Sequence, residues 1–189
     1  AGWVAKVGSA YERPGITGVA HLFEHMMFKG TATLGTRNIE QDLQLIAELD
    51  QVRADIRVEE ATLIEAHRLG RLDDPDDPAG RNARHQELLD RFDRLLVEQD
   101  ALIIKEDFSR VYSGQGASGM NAGTSYDYTI YFVNVPANKL ELWFWMESDR
   151  LLNPVFREFY SERECSPGVV TGLNKFKSWR IPALIGFQC

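Results

Sequence analysis

The sequence predicts an α+β fold, in which an antiparallel sheet has helices packed on one face and a long helical hairpin is inserted. Two short segments, residues 3–7 and 126–135, have the apolar and aromatic composition of strands, and Pro136 ends the second. Longer segments place apolar residues at spacings of three and four, which is the periodicity of amphipathic helices. At 189 residues, the chain is long enough for one domain with an insertion.

Two long segments predict the hairpin. Apolar residues recur at helical spacing along residues 39–69 and again along residues 88–103. A turn rich in Asp, Pro and Gly over residues 73–80 separates them. Two helices joined by a short turn pack as an antiparallel hairpin, and we place this insertion at residues 40–111. Its charged surface is interpreted as a solvated face, with a partner-binding arm as the alternative.

Three shorter helices complete the prediction. The first covers residues 17–29, with Thr17 as its N-cap and Gly30 after its C-terminus. The second covers residues 137–152 and is rich in aromatic side chains, which we expect in the core. The third begins at residue 156 and extends to residue 164.

The composition excludes several classes of protein. Apolar residues make up 44% and charged residues 26%, which is typical of a folded globular protein. No segment approaches the ~20 apolar residues of a membrane span. A net charge of −7 argues against nucleic acid as the main partner. The chain opens at Ala1 without an initiator Met or a signal peptide, so we interpret it as a fragment, and its N-terminus assigns no compartment.

The most informative motif is His21-Leu22-Phe23-Glu24-His25, within the first of the shorter helices. His21 and His25 are one helical turn apart, so both side chains leave the same face, roughly 40° apart around the axis. Glu24 lies about 60° to the other side of His21, and all three can address one point. Zn²⁺ prefers imidazole ligands, and a carboxylate beside it can accept a proton from its bound water. The alternative is an ordinary helix with two surface histidines.

The remaining histidines, His67 and His85, lie in the hairpin. Neither has a companion at the spacing of metal ligands, so we expect both to be solvated.

The segments around the motif resemble the N-terminal domain of the M16 metallopeptidases, the family of pitrilysin, insulinase and the mitochondrial processing peptidase. The His-x-x-Glu-His order of residues 21–25 is the inverted form of the commoner zinc motif, His-Glu-x-x-His. The matching segments follow one another in the family's order: Val7-Gly8-Ser9, Tyr11-Glu12, Pro14-Gly15-Ile16-Thr17-Gly18, His25 to Thr31, Asn121 to Asp127, Glu147 to Leu151 and Ser161-Glu162-Arg163. The resemblance covers residues 1–39 and about 112–164, and we assign residues 1–164 to a partial domain of this type.

The resemblance implies a zinc-dependent endopeptidase that hydrolyses extended peptides. His21 and His25 would be zinc ligands, and Glu24 would be the general base on the zinc-bound water. The strand over residues 120–124 would be the edge to which the substrate peptide adds as a further strand. The substrate-binding residues would be Asn121, Ala122, Gly123 and Thr124. A turn-forming role is the alternative for Asn121.

Members of this family generally need a second, similar domain to close over the substrate. We therefore expect a second M16-like domain or subunit as a partner, and little or no cleavage by the isolated chain. The alternative function is a non-catalytic M16-like subunit, or a truncated fragment, that binds peptides or a partner. A purely structural coiled-coil adaptor fits residues 39–105 alone.

The chain departs from the family pattern at the third zinc ligand. The family has a Glu two helical turns beyond Glu162, where this chain has Gly168 and Val169. Glu162 or Glu164 is a candidate substitute, and the resemblance also gives Glu162 a role in orienting a ligand.

The C-terminal segment, residues 165–189, has an anomalous composition. It contains no Asp or Glu, although the chain has 28. One hypothesis is a reading-frame error that begins at Cys165. Sequencing the gene across this codon tests it.

Overall fold

The structure is a computed structural model that describes residues 1–14 and 17–165, with side chains to residue 162. Within these residues, 1–37 and 103–165 form one unit and 38–102 form another. The α-helices are α1 (Val19–Met26), α2 (Ile39–Arg68), α3 (Ala83–Leu102), α4 (Asp107–Gly114), α5 (Leu140–Leu152) and α6 (Phe159–Cys165). The strands are β1 (Gly2–Ala5), β2 (Ser118–Thr124) and β3 (Thr129–Asn134). None of these helices combines the length and the apolar character that a membrane crossing requires.

The first unit contains a three-stranded antiparallel sheet with the strand order β1-β3-β2. The central strand pairs on both sides: Ile130 lies opposite Val4 of β1 and Gly123 of β2. β2 is therefore an edge strand among the described strands, and its register shifts between Ser118 and Asn121. Helices together with an antiparallel sheet confirm the predicted α+β class.

The strand predicted over residues 126–135 is shorter in the structure. The N–H of Ser125 donates to the carbonyl of Tyr128 at 2.8 Å, so residues 125–128 form the turn between β2 and β3. Tyr126 is 75% exposed in this turn. Aromatic residues are typical of strands, so the tyrosines of this turn resemble the beginning of a strand. The predicted strand therefore begins too early.

The core of the first unit includes side chains from α4, β3 and α5. Phe108 and Tyr112 of α4 cluster with Val133 of β3 and Met146 of α5, and all four are almost completely buried. Burial of these large side chains is the main favourable contribution to the stability of this unit.

The aromatic residues of α5 do not all belong to this core, contrary to the prediction. Phe144 and Trp145 are 57% and 50% exposed. The buried face of α5 instead carries Glu147 and Arg150, which form an ion pair. Glu147 also accepts a hydrogen bond from the Tyr112 hydroxyl at 2.7 Å. A buried carboxylate needs such partners, and they fix which face of α5 turns inward.

α1 begins two residues later than predicted, and Thr17 is not its N-cap. Gly18 takes that position, with a φ of 87°. The carboxylate of Glu12 accepts hydrogen bonds from the N–H groups of Gly18 and Ala20 at 2.6 and 2.8 Å. An anion at this end satisfies N–H groups that the helix leaves open and interacts favourably with the helix dipole.

The second unit is a helical hairpin. Arg91 of α3 contacts Glu48 of α2 at 3.2 Å, whereas Asn82, just before α3, contacts Glu59 farther along α2. The contacts thus move backwards along α2 as α3 advances, so the two helices run antiparallel. Their buried apolar residues are Leu45, Leu49, Val52, Ile56, Leu88, Leu89, Phe92 and Leu95.

One residue of the hairpin differs from its prediction. His85 is only 3% exposed, so the expectation of a solvated side chain is wrong. His67 is exposed, as expected, and its Nδ1 lies 2.9 Å from the carbonyl of Leu72. Both residues follow a helical repeat, but only the packing of α2 on α3 decides which of them is covered.

Candidate metal centre

Two histidine side chains of α1 converge on one point. Nε2 of His21 and Nε2 of His25 lie 3.1 Å apart, and the two rings are nearly perpendicular. In tetrahedral zinc with bonds of 2.0–2.1 Å, two nitrogen ligands are about 3.3 Å apart. His21 is exposed and His25 half-buried. The chemistry and the separation of this nitrogen pair fit two positions of a zinc site.

Glu24 lines a cavity together with His21, and its carboxylate is held by the sheet. Its side chain is 7% exposed, and Oε2 accepts a hydrogen bond from the Thr124 hydroxyl of β2. The Thr129 hydroxyl of β3 lies 3.3 Å from that of Thr124. Burial raises the pKa of the Tyr131 hydroxyl, and the negative charge of Glu24 raises it further. The structure therefore joins the motif of α1 to the β2–β3 strand pair through Glu24.

A cavity of about 340 Å³ adjoins these residues. Its walls include His21 and Glu24 of α1 and the last three residues of β2, residues 122–124. Glu12 and Gly18, at the N-terminus of α1, also line it. A small group in this cavity would lie near both His21 and Glu24.

The four residues predicted to bind substrate lie on β2 with different environments. Ala122, Gly123 and Thr124 are half-buried and line the cavity. Asn121 is exposed, and its Oδ1 accepts a hydrogen bond from the N–H of Ala122 at 2.9 Å. The structure thus brings residues 122–124 to the motif, whereas the Asn121 side chain folds back on its own strand.

Glu162 lies on the far side of the His25 ring from Nε2. Its Oε2 is 3.1 Å from Nδ1 of His25, and its Oε1 is 2.5 Å from Nζ of Lys29. Burial alone would raise the pKa of Glu162, but the hydrogen bonds and charges of Lys29 and His25 together lower it. This position suits a group that orients His25 rather than a third ligand beside the two Nε2 atoms.

The described residues supply no third ligand at this point. Among residues 1–14 and 17–162, no group of three or more His, Cys, Asp or Glu side chains is placed to hold a metal ion. The side chain of Glu164 lies outside the part of the chain that the structure describes. So do Gly168 and Val169, where the family pattern has its third ligand, and the rest of the anomalous segment after Cys165. His21 and His25 fit zinc as a pair, and a complete site needs a further ligand.

Two residues of the site, Glu12 and Lys29, have no predicted role, although both lie in segments that resemble the M16 peptidases. Glu12 caps α1 from a loop, and no spacing rule marks a cap so far from the helix start. Lys29 lies four residues after His25 within the predicted helix. Residues at this spacing share one face of a helix, so the spacing could have indicated that Lys29 lies near His25.

Comparison with known proteins supports the resemblance in the N-terminal third of the chain. Residues 1–57 match the family described as Insulinase (Peptidase family M16). A protein of Rickettsia bellii (strain RML369-C) named "Uncharacterized zinc protease" is 51% identical over 43 residues. That alignment covers 23% of this chain and 10% of the relative. The predicted resemblance to M16 peptidases is confirmed for this part of the chain.

Proposed function

We propose that this chain is part of a zinc-dependent metalloendopeptidase of the M16 type that hydrolyses extended peptides. The observation that carries the proposal is the 3.1 Å separation of the His21 and His25 Nε2 atoms, with Glu24 lining the same cavity as His21. The match of residues 1–57 to the M16 family supports it.

The proposed roles follow from the chemistry of each side chain. His21 and His25 would hold zinc, and zinc held there would supply polarisation of the scissile carbonyl and a lower pKa of water. Glu24 takes a proton from the attacking water as its oxygen adds to the carbonyl carbon. The same carboxyl group then delivers the proton to the leaving amine as the C–N bond breaks. Thr124 holds Glu24 in place for both transfers.

The substrate is proposed to lie along β2. An edge strand offers main-chain N–H and carbonyl groups to an added peptide, which suits broad peptide specificity. Residues 122–124 would contact the peptide nearest to Glu24, and Asn121 would bind it farther out, after its bond to Ala122 opens. In this proposal residues 1–164 are a partial M16 domain, residues 40–111 are its insertion, and a second M16-like domain or subunit closes over the peptide.

The zinc-to-protein ratio after dialysis tests the proposal first. We expect a ratio near one for the full chain and near zero for both His21→Ala and His25→Ala. His67→Ala is the matched control, since this exposed histidine lies in the hairpin and should leave the ratio unchanged. A ratio near zero for the unmodified chain, or one that survives His25→Ala, would contradict the proposed site.

A non-catalytic M16-like subunit that binds peptides is the second candidate. It is favoured by the lack of a third ligand among the described side chains. Cleavage of an unstructured peptide separates the two functions. The enzyme predicts slow cleavage at most, since the closing domain is a separate requirement, and that cleavage should stop with a chelator or with Glu24→Gln. Cleavage that stops with a chelator and in Glu24→Gln would exclude the binding subunit, which predicts peptide binding without any such cleavage.

A further inference from the structure

A lysine lies behind the metal-facing histidine. The Nζ atom of Lys29 is 2.5 Å from Oε1 of Glu162 and 3.1 Å from Oε2 of Glu158. The three side chains are between 14% and 19% exposed, so water screens these ion pairs only in part. The second oxygen of Glu162 lies 3.1 Å from Nδ1 of His25. One carboxylate therefore bridges the ammonium group and the imidazole.

This bridge determines the tautomer of His25. An ionised carboxylate can only accept hydrogen bonds, so Nδ1 must carry the hydrogen in this contact. The Nε2 atom of a neutral ring then keeps its lone pair, which is the form that binds a metal. The hydrogen bond at one ring nitrogen thus prepares the other, provided that Glu162 stays in place.

The backbone around Lys29 fixes the distance to Glu162. Arg157, just before α6, is fully buried and donates to the carbonyls of Thr31 and Leu34 at 2.7 and 2.9 Å. The segment that follows α1 is thereby fastened to the start of α6. Glu158 has a φ of 56°, in the left-handed region that only a few per cent of residues other than glycine adopt. Such a conformation persists where surrounding contacts hold it, and here its carboxylate contacts Lys29.

We infer that Lys29 is a positioning residue of the metal centre, which holds Glu162 on Nδ1 of His25 and so keeps Nε2 of His25 open for the metal. This inference rests on the proposed zinc site. It extends that site by a lysine, on the turn after α1, that does not contact the metal itself.

The test compares Lys29→Met with Lys29→Arg in the full chain. Methionine keeps the unbranched side chain and removes the charge, whereas a guanidinium group can still bridge two carboxylates. Zinc affinity, measured by competition with a chelator, should fall about 10- to 100-fold in Lys29→Met, as is typical for partners of metal ligands. Lys29→Arg should restore most of the affinity. Lys139→Met is the matched control, because Lys139 is a half-buried lysine whose ammonium group donates a hydrogen bond to Gln115, after the C-terminus of α4 and outside the metal centre.

The tautomer of His25 provides a second measurement that needs no metal. Long-range proton–nitrogen NMR correlations of the metal-free chain, assigned with His25→Ala, should show the Nδ1–H form in the unmodified chain and a shift towards Nε2–H in Lys29→Met. Should Lys29→Met fail to fold by circular dichroism, Glu162→Gln and Glu158→Gln replace it, with a larger effect expected for Glu162→Gln.

An unchanged tautomer in Lys29→Met, or an affinity within about twofold of the unmodified chain, would overturn the inference. A general structural role is distinguished by rescue, since a mere packing defect would not be repaired by the larger arginine. If the unmodified chain binds no zinc, the proposed function fails, and the NMR comparison then decides the role of Lys29 by itself.

Discussion

Thr124 of β2 donates a hydrogen bond to Oε2 of Glu24 in α1, across 100 positions of the sequence. The proposed general base is therefore fixed by the strand along which the peptide is proposed to lie. One hydroxyl group couples the position of the carboxylate to that of the substrate edge. A shift of β2 would move both together.

Removal of this hydroxyl should destabilise the first unit. Thr124→Val leaves the buried Glu24 carboxylate without its donor, which typically costs about 1–3 kcal/mol. Thr124→Ser keeps the hydroxyl and should cost less. Urea unfolding followed by tryptophan fluorescence measures the effect, because the hairpin contains no Trp. Equal stability of the Val and Ser variants would show that this hydrogen bond contributes nothing.

Gly30 should not tolerate a side chain. Its φ is 116°, and a Cβ atom there would lie 2.4 Å from the Leu34 carbonyl oxygen and 2.5 Å from the Arg157 guanidinium. Gly30→Ala should destabilise the first unit by about 1–3 kcal/mol through backbone strain and loss of the Arg157 contacts. Gly114→Ala is the control, since a Cβ on Gly114 meets nothing within 4 Å. The same urea experiment compares the two, and a similar small effect for both would be evidence against a tight turn at Gly30.

Peptide binding should depend on the main chain of β2 at Ala122. Its N–H donates to the exposed side chain of Asn121, so a peptide added at this edge could take that donor over. Proline is tolerated on edge strands but has no N–H to offer. Ala122→Pro should weaken the binding of an unstructured peptide about tenfold, which is the value of one hydrogen bond, whereas Ala122→Val should not. Fluorescence anisotropy of a labelled peptide measures both affinities. Undiminished binding by Ala122→Pro would exclude strand addition at this position.

The hairpin should lose stability in mild acid because of His85. This side chain is buried, and neither ring nitrogen has a hydrogen-bond partner among the described residues. Burial lowers the pKa of His85, and the charge of Arg81 lowers it further. A histidine whose folded pKa lies below its unfolded value of about 6.5 favours the unfolded chain once it is protonated. Stability is thus fully present above pH 6.5 and falls as the pH drops through the folded pKa.

Urea unfolding followed by helical circular dichroism at pH 7.5 and pH 5.5 measures this loss. His85→Leu should remove most of the pH dependence, and at pH 7.5 it should be as stable as the unmodified chain or more so, since no hydrogen bond is lost. His67→Gln, which changes the exposed histidine of α2, should keep the dependence. A loss at pH 5.5 that persists in His85→Leu would assign it to other groups.

The long elements of this fold could be predicted from the sequence because their signal is local. α2 and α3 repeat apolar residues over many turns, so chance matches average out and the helical period dominates. The His21–His25 pair is local as well, since a spacing of four on a helix brings two side chains to one face. The predicted ends of the short elements differ from the observed ends by a few residues, as at the start of β3. Few residues mark each boundary, so its position is poorly defined by the sequence.

The exposed face of α5 and the burial of His85 could not be predicted in the same way. The helical period shows which residues share a face of the helix. Which face is buried depends on the element that packs against it. On α5 the ion pair of Glu147 with Arg150 turns inward and Phe144 turns outward, which reverses the expectation from hydrophobicity. The partners of Glu147, such as Tyr112, come from elsewhere in the chain.

The sequence by itself determined the α+β class, the helical hairpin and the placement of His21 and His25 one turn apart on one helix, because each depends on spacings within one segment. Only the tertiary structure decided that Thr124 holds Glu24 and that Lys29 and Glu162 lie behind His25. These contacts join residues more than 90 positions apart, and no periodicity within one segment encodes such a pairing. The packing of α1 against β2 and α6 brings them together.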